Sequence, residues 1–292
     1  MNQTLNQFEA ARGKLFSIAY HMLGSVTDAE DTVQEAYLRY HNAANDAPDE
    51  IRSPEAFLST VVTRLCLNQL QSARAQRETY VGPWLPEPLI TEDDMPLAQA
   101  QTQESLSMAF LVLLERLTPP ERAVFLLHEV FDYSFAEIAE IIGKEEAACR
   151  QIFRRARQFI VAQRPRFTPS AERHAQLLHS FMDAVGDGNL DALTRLLADD
   201  VTLWTDGGGK AKGAATRPLH GASSVARFIL GSMRNYPRPV EVEITRANGE
   251  PAIIFRTDGA PVIFIGVTVA DHAIHELRVI GNPDKLRGLP HV

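Results

Sequence analysis

The chain has 292 residues, more than one hydrophobic core usually serves, so two or three domains are expected. A composition of 45% hydrophobic and 23% charged residues with two cysteines excludes collagen-like, disordered and disulfide-scaffold chains. The net charge of -8 excludes a protein that coats nucleic acid by bulk electrostatics. No apolar run is long enough to cross a bilayer, and the opening MNQTLNQFEA lacks a basic stretch followed by an apolar one, so a cytoplasmic protein with no membrane partner is expected. Cys66 and Cys149 sit among apolar helical positions and read as free thiols that pack as small hydrophobes.

Charge is distributed by segment. Thr27 to Glu55 holds eight acids and two arginines, whereas Ala147 to Arg166 holds six arginines and no acid. PWLPEPLITEDDMPLAQ, from Pro83, is acidic and proline-rich and reads as a linker, and RPRFTPS from Arg164 marks a second break. The resulting domains are 1–80, a linker over 81–105, 106–165, and 170–292.

The first segment reads as all helix. In TDAEDTVQEAYLRY a capping box from Thr27 to Glu30 predicts the helix start, with Ala29, Val33, Ala36, Tyr37 and Tyr40 on the core side. Asp28, Asp31 and Glu35, with Gln34 beside them, form an acidic stripe on another side. Ser53-Pro54 caps the next helix, whose buried side is read as Phe57, Val61, Leu65 and either Leu67 or Leu70. Arg64, Asn68, Gln71 and Arg74 share one polar stripe, and their amide and guanidinium groups are those that bond bases and phosphates. The loop Asn45 to Ser53 reads either as a pocket for an unstacked base or as a plain polar connection.

The second segment carries two capping boxes, Thr118 to Glu121 and Ser134 to Glu137. The second opens FAEIAEII, which stops at Gly143 and is followed by a helix with Cys149, Ile152, Phe153, Ala156, Phe159 and Ile160 on one side and Arg150, Arg154 and Arg157 on the other. A short helix, a glycine turn and a basic helix make a helix-turn-helix, with Arg150, Gln151 and Arg154 in the turns that enter a major groove and Arg155 and Arg157 toward the phosphates.

In this order, DAEDTVQEAYLRY, FLSTVVTRLCLNQL and LTPPERAVFLLHEVFDYSFAEIAEIIG with CRQIFRRAR resemble regions 2 and 4 of the sigma-70 family, in its extracytoplasmic-function (ECF) branch, over residues 5 to 165. The resemblance implies that Asp28, Asp31, Gln34 and Glu35 grip the clamp of the largest subunit of core RNA polymerase, with the flap as a further contact. It implies that Arg64, Asn68, Gln71, Arg74 and Arg77 open and hold the minus-10 element of promoter DNA, and that Lys144, Arg150, Gln151, Arg154, Arg155 and Arg157 read the minus-35 element. Phe57 stands where the family commonly has Trp, and Arg64 and Asn68 lie near places usually taken by Asn and Asp.

The third segment reads as two amphipathic helices and a strand, followed by VEVEIT, AIIFRT, VIFIGVTVA and AIHELRVIG as an antiparallel meander turning at Asn248-Gly249, Asp258-Gly259 and Asp271-His272. GDGNLDALTRLLADD with VTLWTDGGG is similar to the SnoaL-like, ketosteroid-isomerase-like α+β cone. With WLPEP, DGGGK and NPDKL, the whole chain resembles the ECF subgroup that carries a fused SnoaL-like extension. The fold expected is thus multidomain, with two all-α domains followed by an α+β cone. The resemblance implies an interdomain regulatory role for Trp84, Leu85, Pro86, Asp206, Gly207, Gly208, Gly209, Lys210, Asn282, Pro283, Asp284, Lys285 and Leu286. The tail after Gly281 reads as a short peptide made for a groove, with Leu286 as its anchor. Asp206, His220, Arg256, His275 and Glu276 could supply acid or base chemistry in a cone pocket only if they converged. The expectation is a sigma factor regulated in cis by its cone, not an enzyme, with no cofactor or metal, and with an unidentified small ligand as a partner for the pocket. The alternative is a helix-turn-helix domain fused to a ligand-sensing or catalytic SnoaL-like isomerase or cyclase.

Overall fold

The structure is a computed structural model and describes residues 2–46, 51–91, 107–163, 171–233 and 240–290; the side chains of 2–3, 73–78 and 171–172 lie outside this description. The described residues fall into two compact units: a helical unit through residue 78 and from 110 to 163, and a sheet unit holding 79–91, 107–109 and the residues from 171 onward.

The helical unit opens with α1 (Asn2–Leu23), α2 (Val26–Asp46) and α3 (Pro54–Glu78). Leu15, Ile18, Ala19 and Met22 of α1 are buried with Ala29, Val33, Ala36 and Tyr40 of α2 and Leu58, Val62 and Cys66 of α3. Two expectations are corrected. The cap of α2 is Ser25, whose Oγ accepts from the Asp28 N–H at 3.1 Å, and Thr27 lies inside the helix. The helix starts earlier because Gly24, at φ 68°, ends α1 by donating its N–H to the Tyr20 carbonyl at 2.7 Å, which leaves Ser25 as the first residue able to cap. On α3 the buried stripe is Leu58, Val62, Cys66 and Leu70, one residue on from the stripe Phe57, Val61 and Leu65, whose members are only half-buried. The helix is apolar on two adjacent sides, and the side facing α1 is the one that becomes core. Ser53 caps α3 as expected, its Oγ accepting from Ala56 N at 3.3 Å.

Four further helices complete this unit, the first of them from residue 110 onward: α4 (Met108–Leu114), α5 (Pro119–Glu129), α6 (Phe135–Ile142) and α7 (Glu146–Gln163). Both capping boxes form. The Glu121 carboxylate accepts from the Thr118 N–H and hydroxyl at 3.0 and 2.7 Å, and Glu137 accepts from those of Ser134 at 2.8 and 2.6 Å. Gly143, at φ 67°, ends α6, and Cys149, Ile152, Ala156 and Ile160 are the buried stripe of α7. Cys66 and Cys149 are free and buried, and burial pushes the Cys66 thiol up, so neither is poised as a nucleophile.

The sheet unit contains α8 (Ala171–Gly186), α9 (Leu190–Leu196), β1 (Leu197–Asp206), β2 (Leu219–His220), α10 (Ala222–Met233), β3 (Glu241–Ala247), β4 (Glu250–Thr257), β5 (Ala260–Ala270), β6 (Ala273–Ile280) and α11 (Pro283–Leu286). The strand order is β2-β1-β6-β5-β4-β3. The meander β3 to β6 is antiparallel, with positive φ at both central residues of all three turns, as two-residue hairpins require. β1 joins β6 in parallel, so the sheet is mixed. Leu178, Phe181, Leu193, Val225 and Ile229 of the helices bury against Ile253, Phe255, Ile265, Val267 and Leu277 on one side of the sheet. This is the expected α+β cone. α10 went unread in the sequence because Gly231 and three serines, Ser223, Ser224 and Ser232, break up an otherwise helical apolar pattern.

Candidate functional site

The acidic stripe on α2 is formed as its spacing implies: Asp28, Asp31 and Gln34 are exposed and Glu35 is half-buried. Leu38, 55% exposed, continues the same side one turn beyond Gln34 and Glu35, which the sequence reading missed. Glu35 pairs with Arg39 at 2.8 Å.

Arg39 opens onto a second feature. A groove of about 470 Å³ between α2 and α3 is lined by Arg39, Ile51, Arg52, Ser53, Ala56, Phe57, Thr60, Val61 and Arg64. Three guanidinium groups surround an aromatic ring and aliphatic side chains, a combination that can hold an unstacked base by its π-face and the flanking phosphates by charge. Phe57 and Val61 are therefore groove residues and not core. Of the loop expected to form this pocket, Ile51 to Ser53 line the groove and residues 47–50 lie outside the described residues. Asn68 and Gln71 are exposed farther along α3, and the side chains of Arg74 and Arg77 lie outside the described residues. Arg52 could have been found by asking which basic residue flanks the Ser53 cap, whereas Arg39, on the preceding helix, carries no such local signal.

On α7, Gln151, Arg154 and Arg155 are exposed, with no side-chain ion pair or hydrogen bond among the described residues, and Lys144 is exposed in the turn before the helix. Arg150 pairs with Glu146 and lies 4.8 Å from the Phe135 ring centroid, which orients it along the start of the helix. Arg157 lies 3.7 Å from Glu129.

In the sheet unit the three signature strings converge. Asp206, fully buried at the end of β1, accepts from the Tyr80 hydroxyl at 2.5 Å, the Leu85 N–H at 2.8 Å and Lys285 Nζ at 2.7 Å. Lys285 also donates to the Leu85 carbonyl and lies 3.9 Å from the Trp84 ring centroid. Burial and the Asp206 carboxylate both hold the Tyr80 phenol above its ordinary range. Asn282 caps α11 through Asp284 N at 3.1 Å and donates to the Tyr80 oxygen at 2.8 Å. Gly208, at φ 55°, permits this approach, since a Cβ there would lie 2.4 Å from Asn282 Nδ2. Lys210 pairs with Asp284 across the rim. Farther along, Thr91 N donates to the Arg246 carbonyl and Asn248 N to the Leu89 carbonyl, so the segment after Tyr80 is laid against the β3–β4 hairpin. The tail is neither frayed nor extended: it folds as the short helix α11, with Leu286 3% exposed.

The five residues weighed for acid or base chemistry do not converge. Asp206 is spent on Lys285, His220 contacts Thr202, Arg256 contacts Glu243 and the Pro290 carbonyl, His275 faces Asp200, and Glu276 pairs with Arg278. Among the described residues no cluster of His, Cys, Asp and Glu could hold a metal ion, and no helix is long and apolar enough to cross a membrane.

Glu250, at the start of β4, has its carboxyl pushed up to about 7 by burial, against the opposing pull of the Arg278 guanidinium. Because its folded value exceeds the unfolded one, the folded state keeps a proton that the unfolded chain releases, and stability falls as pH rises between those values. Glu250→Gln is expected to flatten this fall, read as urea midpoints of the sheet unit at about pH 5 and about pH 8. An unchanged pH slope would refute it.

Two family models match: Sigma-70 region 2 over residues 7–76 and Sigma-70, region 4 over residues 107–160. The ECF RNA polymerase sigma factor SigJ of Mycobacterium tuberculosis is 42% identical over 300 residues, covering 98% of this chain and 94% of that protein. The probable ECF RNA polymerase sigma factor SigI of the same species is 30% identical over 283 residues, covering 96% and 93%. The crystal structure of M. tuberculosis SigJ superposes with a TM-score of 0.78 at 39% identity, covering 99% of this chain and 100% of that one. With whole-length identity at this level and both sigma regions matched in order, the chain belongs to the ECF sigma factors of the sigma-70 family.

Proposed function

We propose that this sigma factor binds core RNA polymerase through the acidic side of α2, captures the minus-10 element in the arginine-lined groove beside α3, and reads the minus-35 element with α7. The observation that carries the reading is the groove, where Arg39, Arg52 and Arg64 surround Phe57 in the region matched to Sigma-70 region 2. A net acidic chain can read a promoter because the polymerase supplies most nonspecific phosphate contacts. Purified chain with core polymerase should support promoter-dependent transcription in vitro, and Phe57→Ala with Arg52→Ala should abolish opening while leaving polymerase binding intact. Transcription from that double variant at the parental level would overturn the groove assignment.

For α7, Arg150, Gln151 and Arg154 serve base reading, and Arg155 and Arg157 position the helix on phosphates. A lost bidentate base contact costs about 1–3 kcal/mol and relaxes one position, whereas a lost phosphate contact weakens all sequences alike. A promoter library transcribed with Arg150→Ala and with Arg157→Ala should give a relaxed profile for the first and a uniformly weaker one for the second. Identical profiles would contradict the division.

The cone acts in cis. What supports this is connectivity: in the chain, residues 79–91 follow α3 and precede the region 4 helices, and the Asp206–Lys285 hub fixes this connector to the sheet. A held connector limits how far the two promoter-reading regions can separate.

A further inference from the structure

Two arginines cap helix ends across the two halves of the helical unit, and they do so reciprocally. Arg122 of α5 donates to the Met22 carbonyl in the last turn of α1 at 2.6 Å. Arg64 of α3 donates through Nε to the Ile141 carbonyl at 2.8 Å and through Nη2 to the Glu140 carbonyl at 3.0 Å, in the last turn of α6. The final carbonyls of a helix have no partner within it and carry the negative end of its dipole, so a guanidinium is a fitting cap. At α6 the backbone donors are already spent: Gly143 N and Lys144 N both go to the Ala139 carbonyl, leaving Glu140 and Ile141 to Arg64.

The two arginines differ in setting. Arg122 is 2% exposed, paired with Glu115 at 2.6 Å, and burial pulls its guanidinium down to about 9, so it is part of the interior. Arg64 is exposed and lines the groove beside α3. While its Nε and Nη2 are committed to two carbonyls, the same edge cannot make the paired bonds to a phosphate that a guanidinium favours.

We propose that Arg64 exchanges partners and thereby couples release of the helix-turn-helix to capture of the minus-10 strand. In the free chain its fork closes on the C-terminal carbonyls of α6, the helix that a three-residue turn separates from α7. On promoter engagement the fork moves to a phosphate of single-stranded DNA in the groove, and α6 is let go. A guanidinium bonds a phosphate more strongly than a neutral carbonyl, so the exchange is favourable once DNA is present and the cap holds without it. The proposal rests on the reading of α3 as the minus-10 surface.

The test uses the full chain with nitroxides at Ser72→Cys and Gln158→Cys, on α3 and α7, and pulsed electron spin resonance to read their separation. The DNA probe is a fluorescein-labelled single strand of about a dozen nucleotides of randomised sequence. Arg64→Gln should raise the open population about tenfold and weaken DNA binding. Lys14→Ala serves as the contrast. It removes a cation that lies 4.6 Å from the Tyr133 ring centroid and pairs with Glu55 at 2.8 Å, and neither partner lines the groove, so it should open the unit about threefold and raise DNA affinity by a similar factor. Unchanged separations in Arg64→Gln overturn the proposal. If that variant opens yet binds the DNA as tightly as Lys14→Ala does, the exchange is overturned because α3 is not the DNA surface, and the minus-10 reading fails with it.

Discussion

Asp206→Asn is expected to weaken the sheet unit by about 3–5 kcal/mol, the cost of leaving a buried lysine without its counter-charge. Asp206 is fully buried and Lys285 is 7% exposed, so water cannot readily take over the lost interaction. The carboxylate also accepts from Tyr80 and from the Leu85 backbone, which gives the variant three donors to leave less well satisfied. Pairing Asp206→Asn with Lys285→Met removes the orphaned charge and should recover much of the loss, since an ion pair replaced as a whole costs less than one broken in half. Denaturant midpoints of the sheet unit measure this directly, and proteolysis between residues 79 and 91 reports whether the connector has come loose. If Asp206→Asn leaves both unchanged, the hub does not hold the connector and the regulation proposed through it loses its basis. Truncation before Asn282 is a poorer test, because it strips out Lys285 and the buried Leu286 and Leu289 and so perturbs the core along with the hub.

Those same residues show what a sequence can and cannot reveal. Helix ends were legible where a cap needs only neighbours three residues apart, as at Thr118, Ser134 and Ser53, and hairpins were legible where Asn-Gly or Asp-Gly demands positive φ. The start of α2 was misread because two hydroxyl residues, Ser25 and Thr27, both offer a cap, and the choice was made by how α1 ends at Gly24. The buried side of α3 was misread because Phe57, Val61 and Leu65 obey the same spacing as Leu58, Val62 and Cys66, and only the position of α1 distinguishes them. That error concealed the groove, since residues assigned to a core were not available to line a site. Convergence of DGGGK, WLPEP and NPDKL on Asp206 joins positions more than 70 residues apart, and local spacing carries no trace of it.

Reversing charge on α2 has the other large expected effect: Asp28→Lys with Asp31→Lys should weaken binding to core polymerase by two orders of magnitude or about 3 kcal/mol, with helical content nearly unchanged. Both carboxylates are exposed, so substitution removes no buried contact. Lysine near the N-terminal end of α2 opposes the helix dipole, but that costs only a few tenths of a kcal/mol and cannot account for a loss of this size. Leu38 provides a check that is independent of charge. At 55% exposure beside Gln34 and Glu35 it is an apolar side chain with no structural reason to face solvent, and in an interface it would be the desolvated anchor within a polar rim. Leu38→Ala should therefore weaken polymerase binding mainly through faster dissociation, whereas the charge reversals should also slow association and lose much of their effect at high salt. Binding kinetics on immobilised core enzyme at low and high salt separate the two contributions. Parental affinity in all three substitutions would place the polymerase contact elsewhere on the chain, while a salt-independent loss from the lysine variants would mean that this side of α2 is recognised by shape and not by its charge.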